Sequence, residues 1–299
     1  MEGETDTMKI LLFGSNGYIG SEFVSQLLQL TNIKLIRLLP SRHADGGSYL
    51  FKELDGLIKG IKPSVIINCA AYVGGNSIVN CENHKDQAIQ SNVIFPRMLG
   101  EICQERKIIF GHLSSGCVFN GYPTGGYEED DVRNMTFDSK CSFYTGTKAM
   151  AEDCLNDLEK KYIWRIRIPF DEIDHPRNYL TKLMQFDKLV VASNSISNRK
   201  ELVTACIECI MKAVPFGIYH VTNPGGIRTD EITAMMRNIL KIDKDFQYFE
   251  SIEAFDKIST TPRSNTILNT EKLGRAGIVM TPVHESVEKA LKQWKWATA

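Results

Sequence analysis

Short apolar runs alternate with longer segments of helical periodicity along most of the chain. An apolar run of about four to eight residues that is rich in Ile, Val and Leu is typical of a strand buried on both faces. The predicted strands are Lys9–Phe13, Lys34–Leu38, Ser64–Asn68, Lys107–Leu113, Ile163–Ile168 and Gly217–Thr222. The predicted helices between them are Tyr18–Leu30, Tyr49–Gly60, Lys85–Arg106 and Phe143–Lys160.

This alternation predicts an α/β fold in which a doubly wound parallel sheet carries helices on both faces. The alternation of strands and helices becomes irregular after Ile168 and resumes with the strand that begins at Gly217. From Asn223 onward, Gly, Pro and Thr interrupt short helical segments. We therefore predict a larger domain made of residues 8–168 and 196–224, interwoven with a smaller one made of residues 169–195 and 225–299.

Composition narrows the classes of partner. The 299 residues carry a net charge of −1, which gives no electrostatic reason to expect nucleic acid or an acidic membrane as a partner. The acidic N-terminal residues lead into a predicted strand rather than a signal peptide, and no apolar stretch of about 18 residues is present. We therefore expect a cytoplasmic protein with eight reduced cysteines. The six histidines lack metal-ligand spacing, so no metal site is predicted.

A glycine-rich turn joins the first strand to the first helix. It runs Gly14-Ser-Asn-Gly17-Tyr-Ile-Gly20. Gly14 allows the tight turn, Gly17 lets the backbone approach a pyrophosphate, and Gly20 lets the helix lie close to the sheet. At the first strand–helix junction, this spacing predicts a dinucleotide site and a Rossmann-type larger domain.

The second strand indicates which dinucleotide is bound. An acidic residue about 20 positions after the glycines would bind the 2′-hydroxyl of NAD. The chain instead has Leu38-Leu-Pro-Ser41-Arg42, and Arg42 with Ser41 is suited to the 2′-phosphate of NADP. NADPH is therefore favoured and NAD is the alternative, since Arg42 is also typical of an ordinary solvated loop.

A second motif supplies acid–base groups. Tyr144-x-x-x-Lys148 opens a helical segment, which places both side chains on one face. A phenol is a poor acid–base group at neutral pH, and a neighbouring ammonium lowers its pKa. Ser115 follows the fourth predicted strand, where ligands bind in open α/β sheets. These residues predict proton transfer beside the dinucleotide.

Together these motifs resemble the extended short-chain dehydrogenases. Within them, the chain is similar to the dTDP-4-dehydrorhamnose reductases and most similar to the plant-type bifunctional UDP-4-keto-6-deoxyglucose 3,5-epimerase/4-reductases. The likeness rests on the segments Gly14–Gly20, Asn68–Ala71, SGCVF (115–119), FYTGTKAM (143–150), HPRNYLTKL (175–183), GIYHVTNP (217–224) and TPRSN (261–265).

The resemblance implies a role for each matched residue. Tyr144 would protonate the C4 oxygen of a 4-keto sugar as hydride arrives from the nicotinamide, Lys148 would hold the nicotinamide ribose, and Ser115 would hydrogen-bond the same oxygen. The implied cofactor residues are Gly14, Asn16, Gly17, Tyr18, Ile19, Gly20, Cys69, Ala70, Ala71, Asn92, Tyr144 and Lys148. Ser41 and Arg42 join them on the argument given above for the 2′-phosphate, since the loop from Ser41 to Gly47 matches the family poorly. The implied substrate-binding residues are Arg177, Asn178, Arg263 and Asn265, which makes the smaller domain the substrate-binding one. Capping of a loop is the alternative for Arg177, Asn178 and Arg263.

Two further residues would epimerise the sugar. The carbonyl of a 4-keto sugar acidifies the protons at C3 and C5, and inverting those centres needs an acid and a base. The resemblance implies that Cys117 and Lys182 form this pair. A small buried thiol and a surface lysine are the alternatives for these two positions.

Three functions stay open at this stage. The first is a bifunctional 3,5-epimerase/4-reductase acting on a nucleoside-diphosphate 4-keto-6-deoxyhexose, with UDP-L-rhamnose as product. The second is a 4-reductase alone, and the third is a non-catalytic NADP-binding regulatory subunit, which the intact Tyr144–Lys148 motif disfavours. A homodimer is compatible with the sequence, which does not define the oligomeric state.

Overall fold

The computed structural model describes residues 7–38, 51–75 and 78–297. The strands are β1 (Met8–Phe13), β2 (Ile33–Leu38), β3 (Val65–Asn68), β4 (Ile109–Ser115), β5 (Lys161–Ile166), β6 (Pro169–Phe170), β7 (Lys188–Leu189), β8 (Ser193–Asn194), β9 (Ser197–Asn198), β10 (Gly217–His220), β11 (Ile227–Arg228) and β12 (Gln247–Tyr248). The helices are α1 (Tyr18–Leu27), α2 (Phe51–Ile61), α3 (Asn80–Asn83), α4 (Lys85–Ile89), α5 (Phe95–Arg106), α6 (Phe143–Cys154), α7 (Tyr179–Gln185), α8 (Arg199–Met211), α9 (Thr229–Leu240), α10 (Ile252–Asp256), α11 (Glu271–Arg275) and α12 (Val283–Lys292).

Six parallel strands form the central sheet in the order β10-β5-β4-β3-β1-β2. The first strand lies between β2 and β3, so that Phe13 is in register with both Leu38 and Asn68. The predicted Rossmann-type parallel sheet is therefore confirmed. The strand order reverses at β1, because β2 lies on one side of it and β3 on the other. In open α/β sheets, ligands bind in the crevice at the carboxyl ends of the strands at such a reversal.

Two predicted helices differ from the observed ones. The segment predicted as Lys85–Arg106 contains a π-helical turn, Gln90–Ile94, between α4 and α5. The helix predicted to reach Lys160 ends at Cys154, because Arg97 donates to the carbonyl of Cys154 and to Asp157 Oδ1, both at 2.5 Å. These bonds satisfy the end of α6 and hold the following turn.

The chain forms two compact units. The first contains Met1–Ser114, Thr147–Trp164 and Pro215–Ile218, and its core packs β1, β3 and β4 against α2 and α5. In it, Gly111 gives room to the Trp164 indole, since a Cβ at Gly111 would lie 2.3 Å from that ring.

The second unit contains Ser115–Gly146, Arg165–Val214 and Tyr219–Ala299. Its core joins apolar residues of α7, α9 and α12, among them Leu180, Leu183, Ile232, Met236 and Val287. Short strand pairs (β6 with β9, β7 with β12, β8 with β11) complete this unit.

No helix in the described ranges is both long and apolar enough to cross a bilayer. Over the same residues, no three His, Cys, Asp or Glu side chains group in a way that could hold a metal ion.

Candidate active site

The glycine turn between β1 and α1 has the geometry that a phosphate-binding loop needs. Gly14 has φ +77°, a conformation that favours glycine, and a Cβ there would lie 2.5 Å from the Ala70 backbone nitrogen. A Cβ at Gly20 would lie 2.0 Å from the Gly14 carbonyl oxygen. The glycines therefore let β1, α1 and the segment after β3 approach one another within the first unit.

The N-terminus of α1 is presented at this turn. Gly17 occupies the cap position without a side-chain cap bond, and the first turn of α1 has no acidic residue. Asn16 and Gly17 are exposed. Backbone N–H groups and the positive end of the helix dipole there can receive a phosphate.

The segment after β3 forms the neighbouring wall of the turn. Asn68 is fully buried, and its Oδ1 accepts a hydrogen bond from the Ala70 backbone N–H at 3.0 Å. Burial raises the pKa of the Cys69 thiol, and the charge of Lys148 opposes this shift only in part. Cys69 is therefore a neutral thiol at physiological pH, and Ala71 is exposed beyond it.

Asn92, predicted to contact the cofactor, is fully buried in the π-helical turn. Its Oδ1 accepts from the Tyr72 backbone N–H at 2.7 Å, and its Nδ2 donates to the Tyr72 carbonyl and to Thr147 Oγ1. Contact of Asn92 with the cofactor stays a prediction, and in this structure its amide is bound to these protein groups. Asn92 fixes the segment after β3 to α6, and π-helical turns are frequent at functional sites.

Helix α6 carries Tyr144 and Lys148 one turn apart. Ser142 Oγ accepts from the Thr145 backbone N–H at the start of the helix, and Tyr144 is half-buried. Lys148 is 2% exposed, and its Nζ donates to the Leu113 carbonyl at 2.8 Å. The predicted motif thus has its lysine amino group in a fixed position.

Ser115 and Cys117 are joined by a local hydrogen bond. Ser115 ends β4 and caps the short 3₁₀ turn Gly116–Val118, where its Oγ accepts from the Cys117 backbone N–H at 3.2 Å. Both side chains are half-buried. This hydrogen bond holds Ser115 and Cys117 in a fixed relative position, as two groups that act on one substrate would need.

Lys182 lies on α7 in a cationic environment. Burial lowers its pKa, and the positive charges of Arg177 and Arg263 lower it further. At neutral pH a larger fraction of this lysine is therefore unprotonated than of an exposed one. A lysine in this setting is suited to accept a proton.

Asn178 caps the N-terminus of α7, the helix that carries Lys182. It is fully buried, its Oδ1 accepts from the Leu180 backbone N–H as the cap of α7, and its Nδ2 donates to Asp171 and to the Ile173 carbonyl. Contact of Asn178 with the substrate stays a prediction, and in this structure its amide is bound to these protein groups. Its amide holds the helix that carries Lys182.

Arg263 lines a cavity of about 370 Å³ in the second unit, a volume in the range of small-molecule sites. The other polar side chains lining it include Asn120, Asn134, Lys140 and Thr261. Arg263 is accessible to solvent, yet the surrounding protein desolvates its guanidinium and lowers its pKa. Nearby in sequence, Asn265 Oδ1 accepts from Asn194 Nδ2 at 3.1 Å, so this amide is partly engaged by the fold.

Arg167 was missed by sequence reasoning. It is 3% exposed and donates to Asn194 Oδ1 and to the hydroxyl and carbonyl of Ser264. Burial lowers its pKa to about 10, whereas interactions with Cys117, Tyr122 and Tyr179 act in the opposite direction. It stays charged at neutral pH and anchors the TPRSN segment (261–265). Only its position after the fifth strand could have signalled it.

Ser41 and Arg42, predicted to select NADP, lie outside the described residues.

The family profile described as "RmlD substrate binding domain" matches residues 8–296, which include both units. The chain belongs to this family. The dehydrogenase resemblance of the sequence is thereby confirmed.

Two curated relatives have similar sequences. A bifunctional dTDP-4-dehydrorhamnose 3,5-epimerase/dTDP-4-dehydrorhamnose reductase of Arabidopsis thaliana is 30% identical over 292 residues, which cover 95% of this chain and 93% of the relative. A trifunctional UDP-glucose 4,6-dehydratase/UDP-4-keto-6-deoxy-D-glucose 3,5-epimerase/UDP-4-keto-L-rhamnose-reductase of the same plant is 29% identical over 294 residues. The match covers 96% of this chain and 42% of that longer relative, so the chain spans less than half of it.

Solved structures show the same fold. The L780 UDP-rhamnose synthase of Acanthamoeba polyphaga mimivirus superposes with a TM-score of 0.85 at 24% identity, covering 96% of this chain and 99% of that one. A dTDP-4-dehydrorhamnose reductase of Bacillus anthracis in complex with NADP superposes with a TM-score of 0.77 at 19% identity, covering 96% and 97%. At these identities the likeness supports the architecture.

Proposed function

We propose that this protein is an NADPH-dependent 4-reductase of a nucleoside-diphosphate 4-keto-6-deoxyhexose and that it also epimerises the sugar at C3 and C5. The observation that supports the reductase most strongly is helix α6, which carries Tyr144 and Lys148 on one face with the lysine amino group fixed to the Leu113 carbonyl. Family membership and the named activities of the relatives agree with this chemistry.

NADPH would supply a hydride to C4. The residues suited to bind it are the Gly14–Gly20 turn and the start of α1, whose backbone N–H groups would bind the pyrophosphate. Lys148 would hold the nicotinamide ribose. The preference for NADPH over NADH rests on Ser41 and Arg42 and on the absence of a carboxylate after the second strand.

Reduction requires a proton at the C4 oxygen. Tyr144 would donate it, with Ser115 hydrogen-bonded to the same oxygen. A positioned general acid contributes about 10²- to 10⁴-fold to such a step. Arg177 and Arg263 would bind the substrate diphosphate, since one guanidinium group can donate two parallel hydrogen bonds to phosphate oxygens. Asn265 would contact the substrate beside Arg263.

The epimerase activity rests on Cys117 and Lys182. The C4 carbonyl can take up charge as an enolate, which makes the C3 and C5 protons removable. A lysine whose pKa is lowered by burial and by Arg177 and Arg263 can serve as the base, and Cys117 can return a proton. The competing function is a monofunctional 4-reductase, in which Cys117 is a packed thiol, Lys182 is an ordinary lysine, and neither takes part in the reaction.

Isotope exchange distinguishes the two functions. In D2O, Lys182→Ala should leave little deuterium at C3 and C5 of UDP-4-keto-6-deoxyglucose, because the base is missing, as followed by NMR. Cys117→Ala should give little of the sugar inverted at C3 and C5, because the proton donor is missing. Both variants should still oxidise NADPH with UDP-4-keto-L-rhamnose, because the reductase residues are intact. Cys154→Ala, which removes another half-buried thiol, is the matched control. Exchange at the wild-type rate in Lys182→Ala, together with inversion at the wild-type rate in Cys117→Ala, would reduce the proposal to the 4-reductase alone.

A further inference from the structure

His112 lies directly beside the amino group of Lys148, on the strand β4. It is 1% exposed, and its Nε2 is 3.4 Å from Lys148 Nζ. On the other side of the ring, Nδ1 is 3.2 Å from Asn68 Nδ2, and Asn68 is the cross-strand neighbour of His112 in the sheet. The ring also stacks on Phe110. The imidazole is therefore fixed between the catalytic lysine and the end of β3.

The imidazole is neutral. Burial, with the positive charge of Lys148, holds the pKa of His112 well below its usual value. A neutral ring has one nitrogen that donates and one that accepts. Which nitrogen carries the proton depends on its neighbours.

The contact with Asn68 favours one tautomer. Its Oδ1 accepts from the Ala70 backbone N–H at 3.0 Å, so the amide orientation assigned from these contacts turns Nδ2 toward His112. An amide nitrogen only donates, so Nδ1 of the ring must accept. With Nδ1 accepting from Asn68, the proton of His112 lies on Nε2 and points at Lys148 Nζ.

This arrangement matches the unprotonated lysine better than the ammonium. An ammonium has only donors, so it faces the Nε2–H of His112 donor to donor, and the 3.4 Å separation is longer than the 2.8 Å bond to the Leu113 carbonyl. A neutral amine has a lone pair that can accept from Nε2–H, while one of its two hydrogens keeps the bond to Leu113.

We propose that His112 is a positioning residue that stabilises unprotonated Lys148 after the lysine has passed its proton to Tyr144. The proposal rests on the reductase function. As hydride reaches C4, the Tyr144 O–H proton moves to the C4 oxygen, and an ammonium proton of Lys148 moves to the phenolate. The amine then accepts a hydrogen bond from His112 Nε2–H, and a solvent proton restores the ammonium before the next turnover.

Other titratable groups face Lys148 as well. Cys69, after β3, interacts electrostatically with it and stays a neutral thiol. Tyr144 and Glu152 lie one turn away on either side in α6, and Glu152 Oε1 accepts from Ser114 Oγ at 2.5 Å. The carboxylate of Glu152 favours the ammonium, so the Nε2–H of His112 is the neighbour that favours the amine.

Kinetic isotope effects test this role. His112→Phe keeps an aromatic ring against Phe110 but removes both nitrogens. It should lower kcat for reduction by at least about 10-fold, the low end of what proton-transfer groups contribute. Because reprotonation of Tyr144 becomes slow, the solvent deuterium effect on kcat should rise and the effect of deuterated NADPH should fall. KM for NADPH should stay within about threefold.

A second variant distinguishes loss of the hydrogen bond to Lys148 from a general loss of folding. His112→Gln presents an amide N–H toward Lys148 and should restore part of kcat and lower the solvent isotope effect again. Unchanged kcat in His112→Phe, or a lower kcat with unchanged isotope effects in both variants, would show that His112 only packs.

The tautomer can be measured without turnover. In wild-type protein labelled with ¹⁵N-histidine, the signal that disappears in His112→Gln should report an Nε2-protonated neutral ring from about pH 6 to about pH 9, a range within which an unperturbed histidine titrates. An Nδ1-protonated ring would overturn the proposal. If the wild type does not oxidise NADPH with either 4-keto sugar nucleotide, the reductase function fails, whereas the tautomer still tests the geometry around His112.

Discussion

Among single residues, Tyr144 and Lys148 would have separate tasks in the proposed proton transfer. The phenol of Tyr144 is half-buried at the start of α6, where it can reach a substrate. The amino group of Lys148 is almost fully buried and fixed to the Leu113 carbonyl. In the proposed reaction the half-buried phenol would act on the substrate, and the buried amino group would set the charge next to it.

Tyr144→Phe should therefore retain NADPH binding and lose NADPH oxidation by at least about 10²-fold, because the phenyl ring cannot donate a proton. Cofactor binding is measured by fluorescence titration and turnover by absorbance at the nicotinamide band. Tyr248→Phe, outside the Tyr-x-x-x-Lys motif, removes a hydroxyl bonded to Thr233 and is the control. Turnover near the wild-type rate in Tyr144→Phe contradicts the assignment.

At the scale of elements, the approach of α1 to β1 depends on glycine. The missing side chain at Gly20 lets α1 begin against the Gly14 carbonyl, and this closeness brings the N–H groups of the helix to the turn. By contrast, Gly56 and Gly60 lie in α2, where an added Cβ would meet nothing within 4 Å. The same residue type is thus required in one helix and dispensable in another.

Gly20→Ala should lower both the Tm and the affinity for NADPH, because the backbone of α1 must move away from Gly14. Gly56→Ala should instead leave NADPH affinity unchanged and stabilise the protein by roughly 0.5–1 kcal/mol, the gain expected from alanine in a helix interior. Calorimetry and cofactor titration of both variants measure these effects. Equal NADPH affinities in the two variants would show that the turn tolerates a side chain.

The sequence predicts the sheet and the glycine turn well, because the apolar period and the Gly14–Gly20 spacing are local signals. It also predicts Tyr144 and Lys148, whose spacing is one helical turn. It does not reveal that Asn92 and Asn178 are fully engaged inside the fold, since an asparagine in a cap or a π-helical turn looks like one in a binding site. It also passes over Arg167 and His112, because their partners are far away along the chain.

At the scale of the whole molecule, buried histidines link folding to pH. Burial lowers the pKa of His220 to about 3, and its ring lies against Arg165 and the Asn269 carbonyl. His112 is held neutral in the same way. Each takes up a proton in the unfolded chain near pH 6.5 but not in the folded protein.

Below about pH 6.5 the unfolded state therefore binds more protons, and stability falls as the pH falls. Each such histidine contributes a slope of about 1.4 kcal/mol per pH unit until its folded pKa is reached. His220→Gln should show a shallower loss of Tm than the wild type between about pH 6.5 and pH 5, although its Tm at pH 7.5 is lower. Parallel losses of Tm in the two proteins would mean that His220 is not held neutral.

The most direct measurement of the central claim is an NMR experiment on the wild-type protein in D2O with NADPH and UDP-4-keto-6-deoxyglucose. The account predicts that NADPH is consumed and that the C4 carbonyl becomes a hydroxyl in UDP-L-rhamnose, with deuterium at both C3 and C5. A reduced sugar without deuterium at these carbons would remove the epimerase activity. An unreduced carbonyl, both with this substrate and with UDP-4-keto-L-rhamnose, would contradict the account as a whole.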